Sequence, residues 1–470
     1  MQEFKLFTKA NLMKVLRFLP RLFVSLVAIA GIFLVGLFIY NLEVLDEDLY
    51  PEVLALTQNR LSTTEEVPAV KENAFYALMG MRAEADKDMS EVGVQLVEHY
   101  LQNRTERGSE FYSDDYYEIV GAREATANNW LLTYDFCSSM VDFSCLEYLA
   151  TQLDETPITD QRLVMLMQRY DQLLEMPFYY YPIEVSNVAP TMGYQHIFSL
   201  SQIRLANLYN KSSADQFLSH LNSDIQFWKL VLRESVFGIE KMISVGRIHQ
   251  GLNYLSEHMR KNTLSERDTL IIRDILKPLT PEEADISESY VSDTLSMYRW
   301  LDEGMPKSNN DAFANWLAVQ LTRKNDAKNA FYSVFTAPLV RQSKLSAAEF
   351  SSEFGTVAYP DYAQRRLQAG VRLSNFSNLG RNTLIASNRC NNCEMSIARI
   401  HNLEGVRRMV ELQLDLSINE VDSTEEFILD SDFTNPYTGE AFNYNSLTRI
   451  LSFNCIESSA ISRSGCRIQL

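Results

Sequence analysis

The sequence predicts an all-α fold of helical hairpins, arranged as an α-solenoid or as an irregular domain, with one N-terminal transmembrane helix and a small C-terminal β-hairpin. Three observations predict it: an uncharged apolar run near the N-terminus, apolar residues at helical spacing through most of the chain, and turn dipeptides with strand-like runs near the end. We divide the 470 residues into a cytoplasmic tail, a transmembrane helix, a helical region with a local disulfide, a repeat-like helical region, and a cysteine-bearing helix with a β-hairpin, at 1–21, 22–40, 41–190, 191–385 and 386–470.

The apolar run at 22–40, LFVSLVAIAGIFLVGLFIY, contains no charged residue. At about 1.5 Å per residue, a helix of this length just crosses the hydrocarbon core of a bilayer, which is about 30 Å thick. A cleaved signal peptide is the alternative, because Ala28-Ile29-Ala30 has the small residues of a cleavage site. Only a short apolar stretch precedes that site and a longer one follows it, so the sequence favours an uncleaved anchor.

Charged residues on either side of this run predict its orientation. Five basic residues precede it and four acidic residues follow it: Lys5, Lys9, Lys14, Arg17 and Arg21, then Glu43, Asp46, Glu47 and Asp48. Because basic flanks stay in the cytoplasm, we expect a single-pass inner-membrane protein with a cytoplasmic N-terminus. The chain after about residue 41 is then exported, which in a Gram-negative bacterium means the periplasm.

The exported part is strongly acidic. The whole chain has a formal net charge of −18, and setting aside the five basic residues and one acid of 1–40 leaves −22 for the remainder. Such a surface repels phosphate, so the sequence predicts no nucleic-acid binding and no broad adhesion of this domain to anionic lipid. Solubility explains the acidity, and a surface suited to a basic partner is the alternative.

All the cysteines follow the anchor, and their even number suits disulfides in an oxidising compartment: Cys137, Cys145, Cys390, Cys393, Cys455 and Cys466. Cys137 and Cys145 are eight residues apart, so we expect them to close a local loop between two helical segments.

The four C-terminal cysteines leave more than one arrangement open. Cys390 with Cys393 and Cys455 with Cys466 is one pairing, and crosswise pairing is another. A zinc site of four thiolates is an alternative, although the second pair lacks the CxxC spacing. Redox activity of Cys390-Asn-Asn-Cys393 is a further alternative, although no thioredoxin-like strand and helix surround it.

Helix starts are marked by capping residues as well as by periodicity. Ser346 with Glu349 and Ser423 with Glu426 have the capping-box form, in which a hydroxyl and a carboxylate bind free amide groups of the first turn. Thr280 precedes a proline and two acids, which also suits a first turn. These residues predict helix boundaries and not functional sites.

The stretch 195–261 has the clearest helical signal, with amphipathic segments at 196–209, 214–235 and 236–261. In the middle segment, apolar residues at every third or fourth position predict one buried stripe: Phe217, Leu221, Ile225, Trp228 and Leu232. Together with Ala206, Ala214 and Tyr209, this pattern loosely resembles tetratricopeptide repeats, although their period of about 34 residues is not recoverable. The resemblance implies a concave surface for peptides or protein partners; an irregular helical domain is the alternative.

Shorter helices are predicted upstream, at 72–81, 91–101 and 161–176. The run at 177–182, PFYYYP, then brackets four aromatic residues with two prolines. Proline prevents a helix here, so we expect an extended connector that packs its rings on neighbouring helices. A peptide-binding aromatic patch and an aromatic belt near the membrane are the alternatives.

A helix at 395–416 and a small hairpin are predicted near the C-terminus. Asn435-Pro436 and Thr438-Gly439 are turn dipeptides, with Phe442 and Tyr444 on one strand face and 451–453 in the return strand. We expect two disulfides to pin this hairpin to the preceding helix.

Three segments, DIQFWKLVLRESVFGIEKMISVGRI, LEGVRRMVELQL and NPYTGEAF, resemble a group of uncharacterised bacterial proteins with one N-terminal membrane anchor and an exported helical region. The resemblance covers scattered pieces of the chain. It implies an inner-membrane location and supplies no catalytic residues.

Common catalytic motifs are missing: the sequence contains no GxSxG, GxGxxG, Walker A or HExxH. The histidines are dispersed, and no metal or cofactor is predicted from them: His99, His196, His220, His249, His258 and His401. Asp86-Lys-Asp88 and Asp430-Ser-Asp432 match the DxD of metal-dependent glycosyltransferases, but those enzymes need a nucleotide-binding sheet that this sequence does not predict. Glycoside hydrolysis needs only two carboxylates at a suitable separation, and the chain has many.

The sequence therefore predicts a membrane-anchored periplasmic scaffold or adaptor that binds protein partners in a cell-envelope process, with no catalytic residue or cofactor. The alternative is a periplasmic hydrolase that acts on cell-wall glycan through paired carboxylates. A deep acidic cleft holding two carboxyl groups of raised pKa would favour the hydrolase. A broad groove lined by apolar and uncharged polar side chains would favour the adaptor.

Overall fold

A computed structural model describes residues 9–40, 46–59, 70–107, 134–137, 142–181, 194–303, 323–354, 393–419, 421–456 and 466–470. Of the residues singled out in the sequence, Lys5, Glu43, Pro182 and Cys390 lie outside this set.

Helices dominate the described residues, and a small sheet lies near the C-terminus, as the sequence predicts. In chain order the helices are α1 (Lys9–Tyr40), α2 (Pro51–Asn59), α3 (Ala74–Gly80), α4 (Met89–Arg107), α5 (Cys145–Glu155), α6 (Gln161–Leu174), α7 (Tyr194–Lys211), α8 (Ala214–Glu234), α9 (Gly238–Lys261), α10 (Glu266–Ile275), α11 (Pro281–Ala284), α12 (Ser287–Glu303), α13 (Lys324–Phe331), α14 (Ala337–Gln342), α15 (Ala347–Glu353), α16 (Cys393–Ile418) and α17 (Thr424–Asp430). The strands are β1 (Asn443–Asn445), β2 (Ile450–Ser452) and β3 (Arg467–Gln469).

The chain divides into two compact units. Unit 1 comprises Met1–Leu61, Met297–Phe335 and Tyr359–Arg389, and unit 2 comprises Ser62–Ser296, Thr336–Ala358 and Cys390–Leu470. These bounds differ from the predicted divisions at residues 190 and 385, because unit 2 draws helices from all three regions predicted after the anchor. Composition marks where the sequence changes character, whereas packing between distant helices decides which segments belong together.

The helix predicted over the apolar run is part of α1, whose side chains along 22–36 are exposed. Within the described part of the chain, no helix has both the length and the apolar content that crossing a membrane requires. The transmembrane assignment therefore remains a prediction.

The acidic segment after α1 is bound to α13 within unit 1. The Asp46 carboxylate accepts two backbone N–H groups from the first turn of α13, at 2.7 and 3.0 Å. The fully buried Asn329 holds the same segment, since its Oδ1 accepts the Tyr50 N–H at 2.9 Å and its Nδ2 donates to the Asp48 carbonyl at 2.8 Å. These acidic residues therefore position the chain against a helix, in addition to flanking the apolar run.

Tyr298 and Phe331 form the aromatic centre of unit 1. Their ring centroids lie 6.4 Å apart, and Phe335 packs against Phe331 at 5.1 Å. The Tyr298 hydroxyl donates to the Lys328 carbonyl at 2.9 Å, and the Lys328 ammonium lies 2.8 Å from the Asp302 carboxylate. These contacts join the last turns of α12 to α13.

In unit 2, the backbones of α3 and α4 approach closely, and each helix has a glycine at the contact, Gly80 in α3 and Gly93 in α4. A Cβ atom at Gly80 would collide with the Met89 carbonyl, and one at Gly93 would collide with the Tyr76 carbonyl. Only a residue without a side chain fits at such a backbone approach.

The aromatic connector after α6 is extended, as predicted, over its described residues. Asn73 fixes it, because its Oδ1 accepts the Tyr180 N–H at 2.9 Å and its Nδ2 donates to the Tyr180 carbonyl at 2.8 Å. Tyr179 and Tyr181 are buried, with ring centroids 6.2 and 4.6 Å from Phe75. The rings therefore pack on neighbouring elements, as expected for a connector.

The helices α8, α9 and α16 form the centre of unit 2. The predicted stripe of α8 is buried throughout: Phe217, Leu221, Ile225, Trp228 and Leu232. α9 packs against α8 and also against α16, which lies much later in the chain. In a solenoid each repeat contacts only its sequence neighbours, so this packing favours the irregular helical domain over a tetratricopeptide-like array.

Two capping boxes form fully at positions that the sequence predicts. Ser346 caps α15 and Thr280 caps α11, each with the reciprocal bond from the acid three residues later. Ser423 caps α17 by accepting the Glu426 N–H at 3.3 Å. The helices predicted at 161–176, 214–235 and 395–416 agree with α6, α8 and α16 to within two residues.

The predicted C-terminal hairpin belongs to a three-stranded antiparallel sheet with the order β1-β2-β3. Phe442, which the sequence places in a strand with Tyr444, is buried but lies one residue before β1. The prediction lacks β3, although Cys466, Ile468 and Leu470 are buried in alternation with two less buried residues. That alternation over the last residues is the sequence signal for the third strand.

The sheet is held on α16 by packing and hydrogen bonds. A Cβ atom at Gly405 would meet the Phe453 ring, and the Tyr437 hydroxyl donates to the Asn402 side chain at 2.7 Å. The disulfide between Cys455 and Cys466 connects the chain after β2 to the start of β3, with 6.1 Å between Cα atoms. The expectation that this bridge pins the sheet to the preceding helix is wrong, because the β2–β3 pairing places the two cysteines beside each other.

We predict that Gly93→Ala lowers the free energy of unfolding by at least about 2 kcal/mol, because the added methyl group forces α3 and α4 apart. Denaturant unfolding of the full chain in mild detergent measures this change. Gly246→Ala on α9 is the matched control, since no atom lies within 4 Å of its Cβ position. We expect Gly246→Ala to raise the free energy of unfolding by up to about 1 kcal/mol, because alanine favours the helix. Equal effects of the two substitutions would contradict the close packing.

Candidate functional site

Four helices of unit 2 meet at one buried ion pair. Arg247 on α9 and Asp224 on α8 are each 1% exposed at the side chain, with Nη2 and Oδ2 3.0 Å apart. Ser201 on α7 and Tyr170 on α6 donate their hydroxyl groups to the same carboxylate, Ser201 at 3.3 Å. We call these four residues the buried polar cluster.

Further side chains surround the buried polar cluster. Trp228 Nε1 donates to the Tyr170 hydroxyl at 3.3 Å, and the Arg247 guanidinium lies 5.4 Å from the centre of the Phe198 ring. Gln250 accepts from Arg247 and donates to the Tyr254 hydroxyl at 3.0 Å. Arg247 Nε is the one nitrogen of this guanidinium without a hydrogen-bond partner among the described residues.

The electrostatics of the buried polar cluster fit a permanent ion pair. Burial alone would lower the pKa of Arg247, but the Asp224 carboxylate raises it above its usual value. Burial and Asp224 both raise the pKa of Tyr170, so its hydroxyl stays protonated and donates. Groups that are fixed in one protonation state and sealed from solvent bind each other and cannot exchange protons with a substrate.

Glu240, in the first turn of α9, is a second buried carboxyl group. Its oxygens accept three hydroxyl groups, from Tyr179 at 2.7 Å, Tyr194 at 2.6 Å and Ser235 at 2.5 Å. Burial raises the pKa of Glu240, and the three donors lower it in part. The side chain is buried and its hydrogen-bonding capacity is filled, which is typical of a structural carboxyl group.

Glu257 on α9 caps the N-terminus of α5. Its two oxygens each accept a backbone N–H at 2.9 Å, from Leu146 and from Glu147. Burial raises the pKa of Glu257, and these two bonds lower it in part. Arg260 donates to the Phe143 carbonyl at 3.0 Å just before α5. One face of α9 therefore holds the start of α5 in place.

A small cleft opens beside this cap, with a volume of about 10 Å³. Its lining includes Glu257, Arg260, Phe143 and Gln469. A space of this size accommodates about one water molecule. Two carboxylates line it, and both accept backbone N–H groups near the start of α5: Asp142 from Ser144 at 2.9 Å, and Glu257 from the two amides described above.

Burial raises the pKa of Asp293 on α12 to about 7. Its Oδ2 lies 3.7 Å from the position that a Cβ would take at Gly238, the first residue of α9. A carboxyl group that titrates near neutrality has the pKa of a general acid or base. It is the residue of unit 2 that comes closest to the requirement of the hydrolase alternative.

The cysteines predicted from the sequence are found in disulfides wherever the structure describes them. Cys137 is bonded to Cys145 and Cys455 to Cys466, with Cα atoms 5.6 and 6.1 Å apart. Cys393, the first residue of α16, is also disulfide-bonded. Cys145 is the first residue of α5, next to the amides that Glu257 caps. The first bridge therefore closes the loop directly before the capped helix.

Two of the described histidines, His258 and His401, pack against aromatic rings. Burial lowers the pKa of His258 to about 4, and its ring lies 5.0 Å from the ring of Phe217. Burial likewise lowers the pKa of His401 to about 4, with Phe350 at 5.3 Å. Among the residues that the structure describes, no group of His, Cys, Asp or Glu side chains could hold a metal ion.

The two DxD matches lie at helix ends. Asp88 accepts the N–H groups of Ser90 and Glu91, at 2.9 and 3.0 Å, at the start of α4. Asp430 is the last residue of α17. Asp88 is therefore explained as the N-cap of α4.

Sequence reasoning missed the buried polar cluster, although the signal is present. Asp224 lies three residues after Leu221 and four before Trp228, so it occupies a position within the buried stripe of α8. Arg247 lies four residues before Gly251 and seven before Tyr254 on α9, both of which are buried. A charged residue in the apolar register of a helix indicates a buried partner.

None of the protein-family models, curated proteins or solved structures compared with this chain matches it. Its function must therefore be argued from the geometry of its own residues.

We predict that Asp293→Asn changes how stability depends on pH. The pKa of Asp293 in the folded chain, about 7, lies above its ordinary value of 3.8, so the stability linked to the protonated carboxyl group is fully present below about pH 4 and is lost as the pH rises to about 7. The variant has no such carboxyl group. From pH 5 to pH 8, its free energy of unfolding relative to that of the wild type should therefore rise by on the order of 2 kcal/mol. Denaturant unfolding at both pH values measures this. Asp432→Asn, at an exposed position, is the control and should show no such gain.

We predict that Arg247→Met destabilises the chain by about 3–5 kcal/mol, because Asp224 is left buried and unpaired. The double variant Arg247→Met/Asp224→Leu should recover most of that loss, since an apolar pair replaces the ion pair. A double-mutant cycle of unfolding free energies measures the coupling. Additive losses would show that the two charges do not stabilise each other.

Proposed function

We propose that the chain is a membrane-anchored scaffold or adaptor, whose exported helical domain binds protein partners in a cell-envelope process. The observation that carries the proposal is that three buried carboxyl groups of unit 2 are held by polar groups of the protein itself. Asp224 is engaged by Arg247, Glu240 by three hydroxyl groups, and Glu257 by two backbone amides. These groups produce a rigid helical body and leave no free reactive group among them.

The disulfides and the exposed apolar side chains of α1 support the same proposal. Disulfides persist in oxidising compartments, and the described bridges of Cys137 with Cys145 and Cys455 with Cys466 fit an exported domain. The exposed apolar side chains of α1 along 22–36 fit a lipid environment. We place the N-terminus in the cytoplasm and the helical domain in the periplasm, with the anchor in the inner membrane. Anchoring confines the search for a partner to the membrane surface and raises its effective concentration.

Large apolar side chains on the surface of unit 2 provide positions at which to detect a partner. Leu270 on α10 is 66% exposed, Leu429 on α17 is 65% exposed, and Leu447, in the turn between β1 and β2, is 95% exposed. Single exposed apolar residues are common on proteins, so these positions are probes of the proposal and not evidence for it.

A photo-crosslinking amino acid placed at Leu270, Leu429 or Leu447 in intact cells tests the proposal. We expect one protein adduct of constant mass at one or two of these positions, identified by mass spectrometry. Asn262 and Thr448, exposed polar positions, are the controls and should react less. Adducts that are absent or equally diffuse at every position would contradict a specific partner.

The hydrolase remains a second candidate because of Asp293, whose pKa of about 7 suits acid–base catalysis. Release of soluble fragments from purified cell-wall glycan by the full chain in detergent tests it. Asp293→Asn should abolish that release if the carboxyl group is catalytic, while Asp432→Asn should leave it unchanged. Under the scaffold proposal, neither the wild type nor either variant releases fragments.

A further inference from the structure

The helix α1 is longer than a membrane crossing requires. It has 32 residues without interruption and is therefore about 48 Å long. The hydrocarbon core of a bilayer is about 30 Å thick, which about 20 residues cross. If 22–40 crosses the bilayer, as the proposed function holds, the surplus lies at the N-terminal end, over positions 9–21.

These surplus positions have a two-sided pattern. Leu12, Val15, Leu16 and Leu19 follow the spacing i, i+3, i+4 and i+7, which places them on one face of the helix. Lys14, Arg17 and Arg21 follow i, i+3 and i+7 on the opposite side. A helix that continued straight into the cytoplasm would leave the apolar row in water.

Pro20 lies inside α1, at the junction between the two-sided part and the uncharged run. A proline in a helix interior removes one backbone hydrogen bond and allows a bend at that point. A bend here would let positions 9–19 turn into the plane of the membrane surface.

We infer that the N-terminal part of α1 is an interfacial helix that binds anionic phospholipid headgroups of the cytoplasmic leaflet. This inference rests on the proposed membrane anchoring. Charge complementarity identifies the occupant: residues 1–40 have five basic residues and a single acid, and basic clusters immediately cytoplasmic of a membrane helix bind anionic lipid. The apolar row enters the boundary between headgroups and acyl chains, as it does in amphipathic surface helices.

Under this assignment, the cytoplasmic and the exported parts of the chain respond differently to anionic lipid. The exported part is acidic and avoids anionic lipid, whereas the short cytoplasmic part is basic and binds it. Each basic residue near the surface contributes about fivefold to such binding. Replacing three of them should weaken the docking equilibrium about 100-fold.

The test uses the full chain in lipid nanodiscs of phosphatidylglycerol mixed with phosphatidylcholine that has brominated acyl chains. A fluorescent amino acid is placed at one position at a time, and quenching by bromine reports its depth. Leu12 and Ala10 are a matched pair, because they are two residues apart on opposite faces of the helix. Ile32, in the uncharged run, reports the anchor.

We expect strong quenching at Ile32 and at Leu12 and weak quenching at Ala10. In the variant Lys14→Gln/Arg17→Gln/Arg21→Gln, quenching at Leu12 should fall to the value at Ala10, while quenching at Ile32 stays unchanged. The same loss is expected in the wild type when phosphatidylglycerol is omitted.

The outcomes separate this inference from the proposed function. Quenching at Ile32 with equal, weak quenching at Leu12 and Ala10 overturns the interfacial helix and leaves the anchor in place. Quenching at Leu12 that does not depend on phosphatidylglycerol or on the three basic residues overturns the assignment to anionic headgroups. An absence of quenching at Ile32 overturns the anchor and the interfacial helix together.

Discussion

The ion pair of Arg247 and Asp224 is the constraint on which unit 2 depends. Moving two charges out of water costs several kcal/mol for each ion, and only close pairing with further hydrogen bonds offsets that cost. The position of α8 relative to α9 is therefore fixed, because a small slide would separate Nη2 from Oδ2. Ser201 and Tyr170 extend the same constraint to α7 and α6. Packing agrees with this register, since Gly251, one turn after Arg247, lies against Ile225, the residue after Asp224.

At both ends of α9, a carboxyl group binds hydrogen-bond donors of neighbouring segments. Glu240 in its first turn collects hydroxyl groups from the connector, from α7 and from the residue after α8, and Glu257 near its last turn caps α5. α9 thus binds α5, α7, α8, the aromatic connector and Ser235 through three side chains, while its apolar positions pack on α8 and α16. A helix fixed in this way is a rigid support. Rigid supports suit a protein that presents a surface to partners, because little ordering is required when they bind.

Local features of the fold were predictable, and long-range ones were not. Capping chemistry and apolar spacing act over a few residues, so Ser346, Thr280 and the stripe of α8 predict their helices closely. The packing of α9 on α16 depends on surfaces brought together by a long stretch of intervening chain, and single-residue patterns do not encode which surfaces meet. The candidate site was missed for a related reason. Asp224 and Arg247 have no motif, and their importance arises only from mutual burial. The pairing of Cys455 with Cys466 was one of the arrangements that the sequence left open, and it is confirmed; the pairing of β2 with the unpredicted β3 brings the two cysteines together.

The contacts of Asp46 link two properties that are usually studied separately. Asp46 follows the apolar run, at a position where charge changes are introduced when the orientation of a proposed membrane helix is tested. Its carboxylate also completes the first turn of α13, and the neighbouring backbone is bound by Asn329. Charge substitutions introduced around this run to test the proposed anchor would also disturb the folding of unit 1, so a misfolded product could be mistaken for an inverted one. Substitution of Asp46 is constrained by a helix almost three hundred residues later in the chain, whatever the role of the apolar run.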